Sequence, residues 1–210
     1  VIVSIARELG AGGRTVGEAV ASALGAELLD ERTFIDILSR RHGLSPEFLA
    51  ERIERPPRAG DRLIADLAAA TAMLPIPAAQ YHPEEVIIQT VRAEVIERAR
   101  TGHVVAIGHG GVSLLGWRPA GIPVFALLLR AGRAWRIDQL ARRYGIEAGE
   151  ARRRVERTDD ARVRYQRHYF DSDLYDSRQY DLVLNTESLG LEHATALATE
   201  VARTLAQRER

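Results

Sequence analysis

Residues 1–24 constrain the fold more than any other part of the chain. The apolar run Val1-Ile2-Val3-Ser4-Ile5 leads into Ala6-Arg7-Glu8-Leu9-Gly10-Ala11-Gly12-Gly13-Arg14-Thr15, and residues 15–24 then carry helical spacing. Strand, glycine loop and helix in that order aim backbone N–H groups and a helix N-terminus at one point, an arrangement suited to phosphate. Gly10, Gly12 and Gly13 allow the left-handed backbone and close approach that such a loop needs. The same cluster would also serve as a tight strand-to-helix turn with no ligand.

The Walker signature G-x-x-x-x-G-K-[ST] is met only in part. Its first Gly is absent, and so is its Lys, because the chain contains no lysine. Two registers are open. Gly13-Arg14-Thr15 overlays G-K-T, with Arg14 in place of Lys and Thr15 a magnesium ligand, or Gly12 overlays the last Gly and Gly13 takes the Lys position. Arg14 is the basic side chain within the loop after Gly10, and we expect it to supply part of the missing charge. Its planar fork follows a moving phosphoryl group less well than a point charge does.

Further strands are expected at 27–29, 104–107, 124–129 and 182–184, after the first at 1–5. Helices are expected at 15–24, 32–42, 84–100, 133–144, 147–167 and 190–207. That alternation predicts right-handed βαβ crossovers and a five-stranded parallel sheet between helix layers, a three-layer α/β domain spanning 1–210. Ligands of such sheets sit at the carboxyl ends of the strands. Residues 43–82, with Pro46, Pro56, Pro57, Pro75 and Pro77, read as an inserted helical region on the substrate side. Residues 150–178, rich in Arg, Asp and Tyr, read as a mobile lid.

Three further groups are candidates for chemistry. Arg133 and Arg136, after the fourth strand, are three apart on a helix and are placed to grip phosphate oxygens; their alternative is a solvated face. Arg157 and Arg162, in the segment Arg157-Thr158-Asp159-Asp160-Ala161-Arg162-Val163-Arg164-Tyr165, would neutralise charge during phosphoryl transfer; alternating charges of this kind also make surface ion pairs. At the strand ends, His109 lies in the turn Gly108-His109-Gly110-Gly111. Asp30 either orients substrate or magnesium-bound water, or caps the helix that starts near Glu31.

Composition removes several alternatives. All 29 basic residues are arginines and are balanced by 29 acidic ones, which argues against a general nucleic-acid binder. The absence of cysteine excludes disulfides, thiolate catalysis and Cys-based zinc sites. No segment approaches an uninterrupted membrane span, and no signal-peptide pattern is read, so no membrane partner and a cytoplasmic location are the expectations. A homo-oligomer is left open.

Taken in order, these residues resemble the cytidylate kinase-like family, relatives of bacterial cytidylate kinase among the P-loop nucleoside monophosphate kinases. The resemblance runs nearly end to end. It rests on the segment from Ser4 to Thr15, on Leu28-Leu29-Asp30 and on Ile107-Gly108-His109-Gly110-Gly111. It continues through Arg157-Thr158-Asp159 with Arg162 and Tyr165, and ends on Tyr180-Asp181-Leu182-Val183-Leu184-Asn185-Thr186. Ala6 departs from the opening, where the usual pattern reads I-S-R-E. A gap-free overlay puts Gly13 where the family has its catalytic Lys, Arg14 on the following small residue and Thr15 on the family's Thr. His109 stands where the family's turn has an Arg that contacts the nucleobase-bearing substrate, and Asp30 matches an Asp on the substrate side.

The resemblance implies a P-loop NTPase fold and ATP-dependent phosphoryl transfer to a nucleoside monophosphate of CMP type, or to a similar small acceptor, with ATP and Mg2+. Gly10, Ala11, Gly12, Gly13 and Arg14 would form the phosphate cradle, Thr15 would face magnesium, and Arg157 and Arg162 the transferring phosphoryl group. Two other readings remain: a non-catalytic nucleotide sensor, favoured by the missing Lys, and a phosphotransferase acting on a non-nucleotide hydroxyl, left open by His109.

Overall fold

The central apolar runs are nearly unbroken because their strands are covered on both faces, as a parallel sheet requires. The computed structural model describes residues 1–43, 45–47, 83–108, 110–115, 119 and 121–207. Five strands, β1 (Ile2–Arg7), β2 (Glu27–Leu29), β3 (Val104–Ile107), β4 (Val124–Arg130) and β5 (Leu182–Asn185), pair in the order β2-β3-β1-β4-β5, all parallel. The sheet is flanked by α1 (Gly13–Leu24), α2 (Glu31–His42), α3 (Pro83–Thr101), α4 (Arg133–Tyr144), α5 (Ala148–Phe170) and α6 (Thr186–Gln207). The chain has the three-layer α/β fold with a five-stranded parallel sheet expected of it.

Alternation along the strands sorts the core into two layers. Ile2, Val104 and Ala126 pack with Phe34, Leu38, Val91 and Val95 of α2 and α3. Val3, Ile5, Val105, Phe125 and Leu127 pack with Val16 and Val20 of α1 and with the small stripe Ala194, Ala198 and Ala202 of α6. A satellite cluster joins Ile137 and Leu140 of α4 to Ala151 and Val155 of α5, with Leu9 against it.

Topology places the site. From β1 the chain leaves through α1 toward β2, whereas from β4 it leaves toward β5 on the other side. The crevice beyond the carboxyl ends of β1 and β4 is therefore the switch point where such sheets take ligands.

Several boundaries differ from expectation for identifiable reasons. β1 runs to Arg7 because Ala6 and Arg7 keep pairing with Leu128 and Leu129. The final helix begins at Thr186, where Asn185 Oδ1 accepts from the N–H groups of Glu187 and Ser188, and bends at Gly190 (φ 74°, ψ 153°). The helix expected at 147–167 runs three residues further, from Ala148 to Phe170, with Ala151, Val155 and Gln166 buried. Apart from 43 and 45–47, the segment 43–82 lies outside the described residues. Among the described residues no helix is long and apolar enough to cross a membrane.

Candidate functional site

The glycine loop delivers an open helix N-terminus to the switch point. Gly12 takes φ 83° and ψ 13°, a left-handed conformation that a side chain disfavours, and α1 starts at the next residue with no side-chain cap. Val16 N–H reaches Gly12 O at 3.0 Å. The N–H groups of Gly13, Arg14 and Thr15 have no acceptor among the described residues. Orphan donors at a helix start carry the positive end of the helix dipole, so they are a ready anion site. Because Gly12 is the glycine that turns the chain into the helix, this geometry favours the register in which Gly13 takes the Lys position. Thr15 is exposed one turn into α1.

The loop is held from below by residues distant in sequence. Glu8 is 7% exposed; its Oε2 accepts from Ala131 N–H at 3.0 Å, and Arg136 Nε lies 3.6 Å away. Arg136 is 5% exposed and donates to Ala131 O (3.0 Å), Leu9 O (3.0 Å) and Asp159 Oδ2 (2.5 Å). Asp159 Oδ1 accepts from Leu9 N–H at 2.9 Å. Both sides of Leu9 are thus fixed by one ion pair, which ties α4 and α5 to the loop. Tyr175 belongs to the same cluster, and burial, then the charge of Glu8, push its phenol up to about 12, so it stays neutral.

These contacts correct the picture of Arg133 and Arg136 as a two-pronged grip. Arg136 turns inward and spends its donors on the loop carbonyls and Asp159, whereas Arg133 turns to solvent and meets Glu156 at 3.4 Å. Sixty degrees of rotation along a helix is enough to separate a core residue from a surface one. Arg14 also points away from the loop: its Nε donates to Glu18 at 2.7 Å, and its NH2 lies 3.6 Å from Asp30 Oδ2. Only its backbone N–H joins the cradle.

Beside the loop lies a cavity of about 620 Å³ between α5 and the ends of β1 and β3. Four arginines line it, Arg7, Arg154, Arg157 and Arg162, against one carboxylate, Glu31, among the described lining residues. Arg154 is compensated by Glu150 at 2.5 Å. Arg162 NH1 donates to the backbone carbonyl oxygen of Arg7 at 3.0 Å, which brings its guanidinium to the end of β1. Burial, followed by the guanidinium of Arg162, lowers the pKa of Arg7 well below the usual arginine value, while Glu31 and Asp30 act the other way. Burial likewise lowers that of Arg162, with Asp159 the largest opposing charge. Guanidinium stays protonated in proteins, so these shifts report chiefly the desolvation of two neighbouring cations. Tyr165 and Tyr144 add aromatic surface to the lining.

The remaining candidates sit around this centre. Asp30 caps α2, its Oδ1 accepting from Thr33 N–H (3.1 Å) and Thr33 Oγ1 (3.2 Å), which realises the second of its two expected roles. Gly108 and Gly110 flank the cavity with positive φ, and His109 between them lies outside the described residues. Arg157 is exposed on α5 at the cavity rim. Sequence reasoning gave no role to Arg7 or Asp159. Arg7 carried a usable signal, a cation at the carboxyl end of the first strand; Asp159 carried none, because its partners lie 23 and 150 residues away.

A model of the cytidylate kinase-like family matches residues 2–188. No curated protein matches the chain. Among solved structures, an uncharacterized protein from Eubacterium ventriosum is similar at a TM-score of 0.66 and 16% identity, over 97% of this chain and 98% of its own. A protein from Thermus thermophilus follows at 0.50 and 19%, over 99% and 97%. Shikimate kinase from Bacteroides thetaiotaomicron is similar at 0.47 and 14%, over 99% and 98%.

Proposed function

The chain belongs to the cytidylate kinase-like family, and from that premise we propose that it transfers a phosphoryl group from ATP to a nucleoside monophosphate of CMP type or a similar small acceptor. The observation that carries this reading is the open N-terminus of α1 beside an arginine-lined cavity at the carboxyl ends of β1 and β3. One feature suits the phosphate chain of a donor and the other an anionic partner next to it.

In-line phosphoryl transfer asks little covalent chemistry of a protein; positioning and charge stabilisation carry most of the rate. The open N–H groups of Gly13, Arg14 and Thr15 would hold the donor phosphates with little reorganisation, because the Leu9 clamp fixes the loop beforehand. Arg162 and Arg157 line the cavity from α5, and on this reading they offset charge on the group in transit. On the same reading helix α5 serves as the lid over the cavity it lines, and Asp30 and His109 serve the acceptor.

Magnesium fits this site only in company with the nucleotide. Thr15 offers an exposed hydroxyl, and no group of three acidic or His side chains among the described residues forms a metal cage. The ion would be held by Thr15 and substrate phosphates, and would supply charge neutralisation between them.

The test is a turnover screen of ATP–magnesium against each nucleoside monophosphate, paired with thermal shifts. ADP formation and stabilisation with one monophosphate are the expected result. Binding of ATP without turnover on any acceptor would support the sensor reading, which the glycine at position 13 favours. Turnover only on a non-nucleotide alcohol would reassign the acceptor.

A further inference from the structure

The loss of the Walker lysine leaves a vacancy of charge at the first turn of α1, and the packing around Gly13 shows what occupies its place. A Cβ on Gly13 would lie 2.7 Å from Cγ of Arg7, 3.1 Å from its Cβ and 3.2 Å from its Cδ. The aliphatic stem of Arg7 therefore runs directly over the first residue of the helix. At its far end the guanidinium reaches the Gly108 turn, where Arg7 NH1 is the nearest atom to a Cβ built on Gly108. The side chain spans the space between the helix start and the end of β3. Gly13 has no positive φ to require glycine; the room taken by Arg7 is what excludes a side chain there.

Resting on the phosphate-transfer reading, we infer that Arg7 supplies, from the end of β1, the positive charge that a lysine at position 13 supplies in a Walker loop. Its ligand is the terminal phosphates of a nucleoside triphosphate. The cation has moved from helix to strand, and the exchange of Lys for Gly at position 13 is its steric counterpart.

Three observations converge on this assignment. The cation that follows Gly13 in sequence, Arg14, is committed to Glu18 and Asp30 on the outer face of the helix. Arg7 has no carboxylate within ion-pair distance among the described residues; the charge that acts on it most is Arg162, of the same sign, whose NH1 donates to the Arg7 backbone carbonyl oxygen at 3.0 Å. The N–H groups of Gly13, Arg14 and Thr15 beside its stem have no acceptor among the described residues. Two neighbouring guanidiniums beside open N–H donors repel each other alone and become favourable around a polyanion, which offers charge-assisted hydrogen bonds to both.

A double-mutant cycle tests the exchange. The readout is ATP–magnesium binding by calorimetry, with a thermal melt of each variant to confirm folding. Arg7→Met keeps the stem and removes the charge, so it should bind ATP about ten- to a hundredfold more weakly. Arg7→Lys restores part of the loss as a point charge. Gly13→Lys alone should also weaken binding, because the new side chain runs into the stem of Arg7. In the Arg7→Ala background that space is open, and adding Gly13→Lys should recover most of the affinity lost by Arg7→Ala. Recovery in the double variant is the result that a purely structural Arg7 cannot give. If Arg7→Met binds ATP as the parent does, or if Gly13→Lys is equally harmful with and without Arg7, the inference fails while the phosphate-transfer reading stands. If the parent itself does not bind ATP, that reading fails and this one with it.

Discussion

Replacing Asp159 by alanine should loosen the glycine loop from a distance, and the structure sets the size of the effect. The carboxylate does two things at once: Oδ1 accepts the Leu9 N–H at 2.9 Å, and Oδ2 holds Arg136 at 2.5 Å. The side chains are 14% and 6% exposed, so neither contact is exchanged freely for water. Breaking a buried ion pair by removing one partner costs about 3–5 kcal/mol when the survivor is left alone. Arg136 is not left alone. It keeps Ala131 O, Leu9 O and the charge of Glu8 at 3.6 Å, so the cost falls to about 2–3 kcal/mol, near that of one or two charge-assisted hydrogen bonds. For a domain of this size that is a fall in Tm of about 4–12 °C. Asp159→Asn should lie between, because an amide oxygen still accepts from Leu9 but no longer neutralises Arg136.

The assay pairs urea denaturation with hydrogen exchange followed by mass spectrometry. Asp159→Ala should speed exchange selectively in residues 8–13 and in the middle of α5, while the α2–α3 side of the sheet exchanges as before. A variant with parental stability and unchanged exchange at residues 8–13 would refute the clamp and return Asp159 to the role of a surface charge.

Gly12→Ala should destabilise the protein by about 2–4 kcal/mol in urea denaturation, since it combines a left-handed φ with a Cβ that overlaps a methyl of Leu191; an unchanged midpoint would mean that the loop adopts another shape. His42 should make the α2–α3 contact pH-dependent: burial and then Arg41 lower its pKa, and its Nε2 lies 3.1 Å from Thr90 Oγ1. The neutral form is favoured in the folded state, so this stability is complete above about pH 6.5 and is lost as pH falls below it. Thermal melts of the parent and of His42→Gln should therefore differ in slope below that pH and run parallel above it.

The parts of this molecule that can be read from sequence are those whose signal is local. Each strand is an apolar run bounded by polar residues, and the first helix announces itself through the glycine turn before it. What escaped was set by contacts across the sheet. Arg7 extends β1 only because Leu129 lies opposite, and nothing near residue 7 states that. Arg136 looks like a surface arginine in any local window, yet becomes a core residue because Asp159 and Glu8 come to it from 23 and 128 positions away. On α5, which is legible as a helix, the inward turn of Gln166 escaped: its amide meets Ser113 and Ser172. A buried polar network carries no periodic hydrophobic signature.

The glycines of the loop show why a motif and its chemistry can part company. Gly12 is demanded by backbone conformation, but Gly13 is demanded by volume, since Arg7 lies where its side chain would be. A pattern search treats both as the same symbol and then registers a missing lysine. Seen as packing, the missing lysine and the arginine at the end of β1 are a single substitution distributed over two elements. The fold requires a cation near the open end of α1 if a polyphosphate is to sit there, but it does not require that the cation come from the helix. A strand that ends at the same edge serves equally, provided the helix gives up one side chain to let it pass.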